Sequence, residues 1–292
     1  MTSHFVVSFA HRASMLVLIA TLSSSHGARA ANEESESGHF HHVHLNVSDV
    51  AKTAAFYEKV FGVVPIEYAD TQPALLTERS FIFMNRVAAP IKSQLQTGII
   101  HIGWSGIDGK SEFDWWQKQG IEFYKPLSRI GPGEYFYLYG PDREVIEIWT
   151  NEKHHRLNHI HMLAADPKRT AEWFSTILYS QDRVTKDDLG LGNFNLRVDN
   201  VTLHVFPDVP AFRPKERTGP MEPTDGSGID HLAFSFRDLK RALRRIESFG
   251  VKVERPLRVD DSYRMRHAFV RSPNGVLVEL VESRSWPEAA WE

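Results

Sequence analysis

His42-Val43-His44-Leu45-Asn46-Val47-Ser48-Asp49 is the stretch whose reading decides the fold. Polar and apolar residues alternate through it, as in a strand with one packed face and one open face. His42, His44 and Asn46 share the first face; Val43, Leu45 and Val47 share the second. Asp49 then closes the strand and opens a helix, its side-chain oxygen accepting from free N–H groups of the first turn. The plan recurs three times, as His101…Asp108, His159…Asp166 and His231…Asp238. Helices are predicted over 50–61, 109–119, 167–178 and 239–249. Pro167 suits a first helical turn, and Gly62, Gly120 and Gly250 suit left-handed positions just past a helix end.

The second and fourth copies also share an ending. Gly140-Pro141-Asp142 leads into an alternating strand that reaches Glu147, and Ser272-Pro273-Asn274 leads into one that reaches Glu279. In the first and third copies the last strands are predicted at 80–85 and 200–206, without that ending. The units therefore pair first with second and third with fourth, giving domains at 39–152 and 153–292 with a short polar connector at 151–156. A strand–helix–strands unit of this length indicates an α+β class, with curled sheets that need a partner sheet to close around a cavity.

The open faces are unusual. His101, Gly103 and Ser105 lie opposite Ile100, Ile102 and Trp104; His159 and His161 lie opposite Ile160 and Met162; His231 lies opposite Leu232. Burying imidazoles and a carboxylate unpaired would cost several kcal/mol, so these faces line something polar. Two histidines and one carboxylate, co-registered twice, form a metal-ligand pattern suited to Fe(II), Mn(II), Ni(II), Co(II) or Zn(II). The predicted sets are His42/His101/Glu147 and His159/His231/Glu279. His44 and His161, next on the same faces, are candidate substrate contacts.

Composition narrows the classes. The 292 residues are 42 % hydrophobic and 24 % charged with a net charge of -3. That is an ordinary globular profile, without a basic field for nucleic acid. Cysteine is absent and histidine numbers 15, which excludes disulfides, thiolate metal sites and cysteine nucleophiles. Residues 1–30 read as a signal peptide: a basic residue at Arg12, an apolar run over 13–22, and Ala28-Arg29-Ala30 as the cleavage pattern near Ala30. The run is too short to span a bilayer. Residues 31–38, acidic and serine-rich, read as a flexible leader. The expected location is periplasmic or secreted, with no membrane attachment after cleavage.

These motifs resemble the vicinal-oxygen-chelate superfamily of glyoxalases, type I extradiol dioxygenases, and bleomycin and fosfomycin resistance proteins. The resemblance is carried by His42…Asp49 with Phe56-Tyr57 and Phe61-Gly62, by Gly140-Pro141-Asp142…Glu147, and by their counterparts His231…Asp238 and Ser272-Pro273-Asn274…Glu279. It covers nearly all of the chain after the leader. It implies four βαβββ modules paired into two glyoxalase-like domains with cupped, mostly antiparallel sheets, each cupped around a metal that a substrate chelates through two oxygens. By position it implies a working ligand set at His159, His231 and Glu279, as in two-domain extradiol dioxygenases. It also implies an acid–base histidine late in the third module, where Val201 matches best and His204 lies three residues on. A tyrosine is implied ten residues before the ligand glutamate; the second half has Phe269 there and the first half Tyr137. In the glyoxalase branch the first module of a pair gives a ligand from its last strand. Residues 80–85 offer none, and residues 200–206 offer His204.

Three functions fit. The first is an exported Fe(II) extradiol-type dioxygenase for a small substrate with vicinal oxygens. The second is a redox-silent lyase, isomerase or epimerase using Zn(II), Mn(II), Ni(II) or Co(II). The third is a non-catalytic binder with an aromatic cup from Trp104, Trp115, Trp116, Tyr135, Phe136, Tyr137 and Tyr139. The expected cofactor is one divalent metal per active domain, Fe(II) first. His267, Tyr263, Arg264 and Arg266 precede the closing strand of the second half; His267 is a candidate acid–base group, Tyr263 and Arg266 candidate substrate contacts. The expected partner is the small substrate, to a monomer or homodimer. Segment 208–228, rich in proline and charge, is either a lid or a plain surface excursion.

Overall fold

The computed structural model describes residues 37–88, 91–187 and 189–283. The predicted signal peptide and residues 31–36 of the leader lie outside them. Among the described residues no helix is long and apolar enough to cross a membrane.

Each module opens with a strand and a helix: β1 (His39–Val47) with α1 (Val50–Phe61), β5 (Ile99–Ser105) with α2 (Gly109–Lys118), β9 (Leu157–Ala164) with α3 (Pro167–Leu178), and β13 (Ile229–Ser235) with α4 (Leu239–Ser248). Three strands complete each: β2 (Val64–Tyr68), β3 (Gln72–Leu76) and β4 (Phe81–Arg86); β6 (Phe123–Ile130), β7 (Gly133–Tyr139) and β8 (Val145–Trp149); β10 (Thr185–Lys186), β11 (Phe194–Val198) and β12 (Val201–Pro207); β14 (Val253–Asp260), β15 (Met265–Arg271) and β16 (Leu277–Ser283). The four capping aspartates act alike. Asp49, Asp108, Asp166 and Asp238 accept from the backbone N–H of Lys52, Ser111, Arg169 and Arg241. Gly62 ends α1 in the left-handed region. The third module has no glycine there, and Tyr179 takes that conformation at φ 50°, with the Arg245 guanidinium 4.2 Å above its ring.

The strands form two mixed eight-stranded sheets, ordered β14-β15-β16-β13-β1-β4-β3-β2 and β10-β11-β12-β9-β5-β8-β7-β6. At the centre of each, two opening strands run antiparallel: β1 beside β13, and β5 beside β9. The first module therefore shares a sheet with the fourth, and the second with the third. This corrects the expected pairing of first with second and third with fourth. The physical reason lies in the helices. Phe61 of α1 stacks on Trp104 of β5 at 4.4 Å, and Phe174 of α3 lies 6.2 Å from Phe234 of β13. Consecutive modules thus meet through helix faces in one continuous apolar core, which leaves their open strand edges to pair across the halves of the chain.

The central strands are bulged. Register shifts fall between Phe40 and His42, Ile99 and His101, Leu157 and His159, and Ile229 and His231. The flanking residues Phe40, Val43, Ile99, Ile102, Leu157, Ile160, Ile229 and Leu232 all belong to the core. Each bulge therefore turns two consecutive residues away from it: His41-His42, Ile100-His101, Asn158-His159 and Asp230-His231.

Candidate metal centres

In the second sheet, His101 from β5, Glu147 from β8 and His159 from β9 converge. Glu147 Oε2 lies 2.8 Å from His101 Nε2 and 2.8 Å from His159 Nε2. Gly103 makes this possible. It pairs with Glu147 on one side and His159 on the other, and a Cβ at 103 would fall 1.9 Å from the His159 ring. The bulge residue Asn158 accepts from His159 Nδ1 at 2.7 Å. His159 so turned presents Nε2 to a carboxylate oxygen. That contact can be filled by a shared proton or by a cation that both atoms ligate. Burial disfavours charge on Glu147, yet His101 and His159 hold its carboxylate well below the ordinary range; burial lowers His101. A metal requires neutral imidazole and ionised carboxylate ligands, and the directions at His101 and Glu147 agree with that.

Further groups surround this triad. The His161 ring is 4.5 Å from His101, with Phe206 stacked on it at 4.1 Å; its buried Nε2 has no hydrogen-bond partner among the described residues. The His204 ring is 5.1 Å from His159, and its Nδ1 donates to Asn195 Oδ1 at 2.7 Å. Burial, then the neighbouring His159, holds His204 down at about 3. Tyr137 pairs with Glu147 across β7 and β8 and lies 5.1 Å from His101; burial and Glu147 hold its hydroxyl well above the usual phenol range. The alternative Val201 is fully buried in the apolar core, whereas His204, later in the third module, borders this site.

The first sheet holds the counterpart. His42 and His44 from β1 and His231 from β13 form a second possible metal cluster. Glu279 Oε2 from β16 lies 3.2 Å from His42 Nε2 and 3.3 Å from His231 Nε2. Neither nitrogen has a hydrogen-bond partner among the described residues, so both remain available to a common ion. Bulge residues again set the rings. Asp230 accepts from His231 Nδ1 at 2.7 Å, and His41 Nδ1 lies 2.8 Å from His42 Nδ1. Glu279 Oε1 accepts from His267 Nδ1 at 2.7 Å. Burial lowers His42 to about 4 and His44 to about 3. Burial opposes charge on His231 too, but Asp230 and Glu279 raise it to about 9.

The ligand sets read from sequence are thus re-sorted: His101 and Glu147 join His159, while His42 joins His231 and Glu279. His161, His204 and Tyr137 fall around the former set, His44 and His267 around the latter. Tyr263 stacks on Phe83 at 4.9 Å beside the latter set. Arg266 does not reach it. It alternates with His267 on β15, so it faces away and pairs with Glu282 at 2.9 Å; Arg264 pairs with Asp70. The aromatic cup also divides. Tyr137 faces the site, with Tyr135 5.7 Å away, while Phe136, Trp104 and Trp116 belong to the core and Trp115 is 47 % exposed. Simple alternation missed His41, Asn158 and Asp230, the partners of the histidines. Their signal was a polar residue directly before three of the four histidines.

The profile of the Glyoxalase/Bleomycin resistance protein/Dioxygenase superfamily matches residues 39–148 and 156–280. The chain is 30 % identical over 136 residues to the uncharacterized protein YaeR of Escherichia coli (strain K12), covering 44 % of this chain and 95 % of that protein. Its fold is similar to glyoxalase I from Zea mays (14 % identity, 88 % of this chain and 97 % of that one, TM-score 0.68). It is also similar to a candidate dioxygenase of Bacillus subtilis subsp. subtilis str. 168 (16 % identity, 86 % of each chain, TM-score 0.60).

Proposed function

Because the chain belongs to the Glyoxalase/Bleomycin resistance protein/Dioxygenase superfamily, we propose that it is a metal-dependent dioxygenase of the extradiol type, reacting at His101, Glu147 and His159. One observation carries the reading: His204 from the third module and Tyr137 from the second flank the same triad. In this reading they would serve as the acid–base histidine and the tyrosine of the extradiol type, although His204 lies three residues from the best-matching position; they come together because the second and third modules share a sheet.

His101, His159 and Glu147 would hold the divalent ion, Fe(II) by preference, which would supply Lewis acidity and room for a substrate's two oxygens. His204 is held as the Nδ1–H tautomer by Asn195. Its Nε2 is therefore left as an acceptor that would take a hydrogen bond from a substrate hydroxyl and, once the substrate is bound to the metal and more acidic, its proton. Tyr137 keeps its proton and can donate a hydrogen bond. Phe206, stacked on His161, supplies a flat wall for a planar substrate. Export through the predicted signal peptide forms part of the proposal, and mass spectrometry of the mature N-terminus tests it.

The decisive experiment combines metal analysis with an oxygen electrode. The iron-loaded protein is expected to consume oxygen with a catechol, and His204→Ala to lose that activity while keeping its metal. Turnover without oxygen would overturn the dioxygenase reading in favour of a redox-silent isomerase or lyase.

A further inference from the structure

Segment 208–228 contains a buried side chain that the chemistry above does not use. No part of the Arg217 side chain is exposed. Its Nη2 donates to Asp208 Oδ1, while Nε and Nη1 have no hydrogen-bond partner among the described residues. Asp208 is itself shared. Arg213 Nε donates to the same Oδ1 at 3.1 Å, and Arg213 Nη2 to the Asp208 carbonyl at 3.3 Å. Two guanidinium groups thus draw on one carboxylate. A buried cation with two dry N–H nitrogens is at variance with the near-complete pairing of buried polar groups, and it calls for an acceptor.

The neighbours of Arg217 connect it to the second-sheet centre. Asp208 follows the file Thr202, His204 and Phe206 on β12, roughly 13 Å beyond His204 at ~3.3 Å per residue. Phe206 is the residue stacked on His161, and Phe212 of the segment lies 5.1 Å from it. On the other side Glu216, next to Arg217, accepts from Tyr124 Oη at 2.9 Å. Gln96 Nε2 donates to the Glu216 carbonyl at 2.8 Å. Tyr124 is 6.1 Å from Tyr137. The first half of the segment therefore touches β12 through Phe212 and β6 through Glu216, with the half-used guanidinium next to the second contact, while its later residues bridge to Lys92 and Thr97.

We propose that Arg217 is the anion-recognising residue of this centre, and that the substrate carries an oxyanion, carboxylate or phosphate, on an arm extending from its planar group. The inference rests on the proposed function for what the other end of the substrate does, but its test does not. The probes are 3-phenylpropionate, phenyl phosphate and the neutral 3-phenylpropanamide, none of which has vicinal hydroxyls. Isothermal titration of the full chain is expected to show one of the two anions binding at least about 10-fold more tightly than the amide, the usual scale for a hydrogen bond to a charged group. Which anion wins distinguishes carboxylate from phosphate. Arg217→Gln is expected to lose the preference, and His101→Ala to keep it even if oxygen uptake is never found. If the glutamine variant does not fold, the comparison of probes on the unaltered protein decides. Equal binding of all three probes, binding of none, or a preference that survives Arg217→Gln would overturn the proposal.

Discussion

Gly103→Ala tests the second-sheet centre at its tightest point. The added methyl would sit 1.9 Å from His159 Cε1 and 2.1 Å from Nε2. Ordinary carbon contacts begin near 3.4 Å, so the ring must retreat by roughly 1.5 Å, because the β5 backbone is fixed by partners on both sides. That displacement separates Nε2 from Glu147 Oε2, now 2.8 Å away. A shift of this size in a positioned group costs on the order of 100-fold in rate, and loss of a ligand's geometry costs about 10–100-fold in metal affinity. Overpacking adds ~1–3 kcal/mol of destabilisation. The first sheet supplies a control, because Ala233 already carries a methyl opposite His42. Elemental analysis after dialysis should show loss of the second-sheet ion in Gly103→Ala and no loss in Ala233→Gly, with oxygen uptake falling only in the former. A folded Gly103→Ala protein that keeps its full metal content and activity would refute the geometry.

Other outcomes follow from the same arrangement. His101→Ala and His159→Ala should remove the same ion, so the double variant loses no more metal than either single one; His42→Ala and His231→Ala should behave likewise for the first-sheet ion. Additive losses from His101→Ala and His159→Ala would contradict the shared centre. Tyr137→Phe should retain metal while reducing kcat, read by oxygen electrode and metal content together. Stability should also depend on Glu144, which is 2 % exposed and accepts from Tyr57 Oη at 3.1 Å. Burial raises its pKa from 4.5 to about 7. A raised carboxyl favours the folded state fully below about pH 4.5, and that advantage is lost as pH rises through 7; it amounts to about 3 kcal/mol. Urea midpoints from pH 5 to 9 should fall more steeply for the unaltered protein than for Glu144→Gln, and parallel curves would exclude this residue as the cause.

What could be read from sequence was local. Four histidine-to-aspartate spacings located four strands and four helices, because capping and alternation act over a few residues; α1 and α3 match their predicted limits, while α2 and α4 end one residue early. Partner choice was not legible. The modules have similar strand edges, and the contacts that decide, Phe61 with Trp104 and Gly103 with His159, join residues far apart in the chain. Bulges were hidden for a different reason. A period of two places His41, Asn158 and Asp230 on the apolar face, and only one extra residue in each strand brings them round to the histidine rings. Arg266 was misplaced by proximity in sequence, since its neighbour His267 takes the inward position on the strand.

The two centres are related by repetition but are not chemical equals. Phe269 pairs with Glu279 where Tyr137 pairs with Glu147, and Phe83 pairs with His44 where His204 pairs with His161. The first sheet thus keeps a ligand set while both flanking polar groups are replaced by phenyl rings. It gains instead His267 on the second oxygen of Glu279 and His41 behind His42, which fix the ligands and leave less freedom to exchange them. A centre built that way suits a tightly held ion better than turnover, whereas the second sheet has His204, Tyr137 and Phe206 beside its triad, the groups to which the proposed function gives work. Sequential pairing of the modules would have divided those groups, with Tyr137 beside Glu147 in one domain and His204 beside His159 in the other. The exchange of partners between halves is therefore what gathers them at one centre.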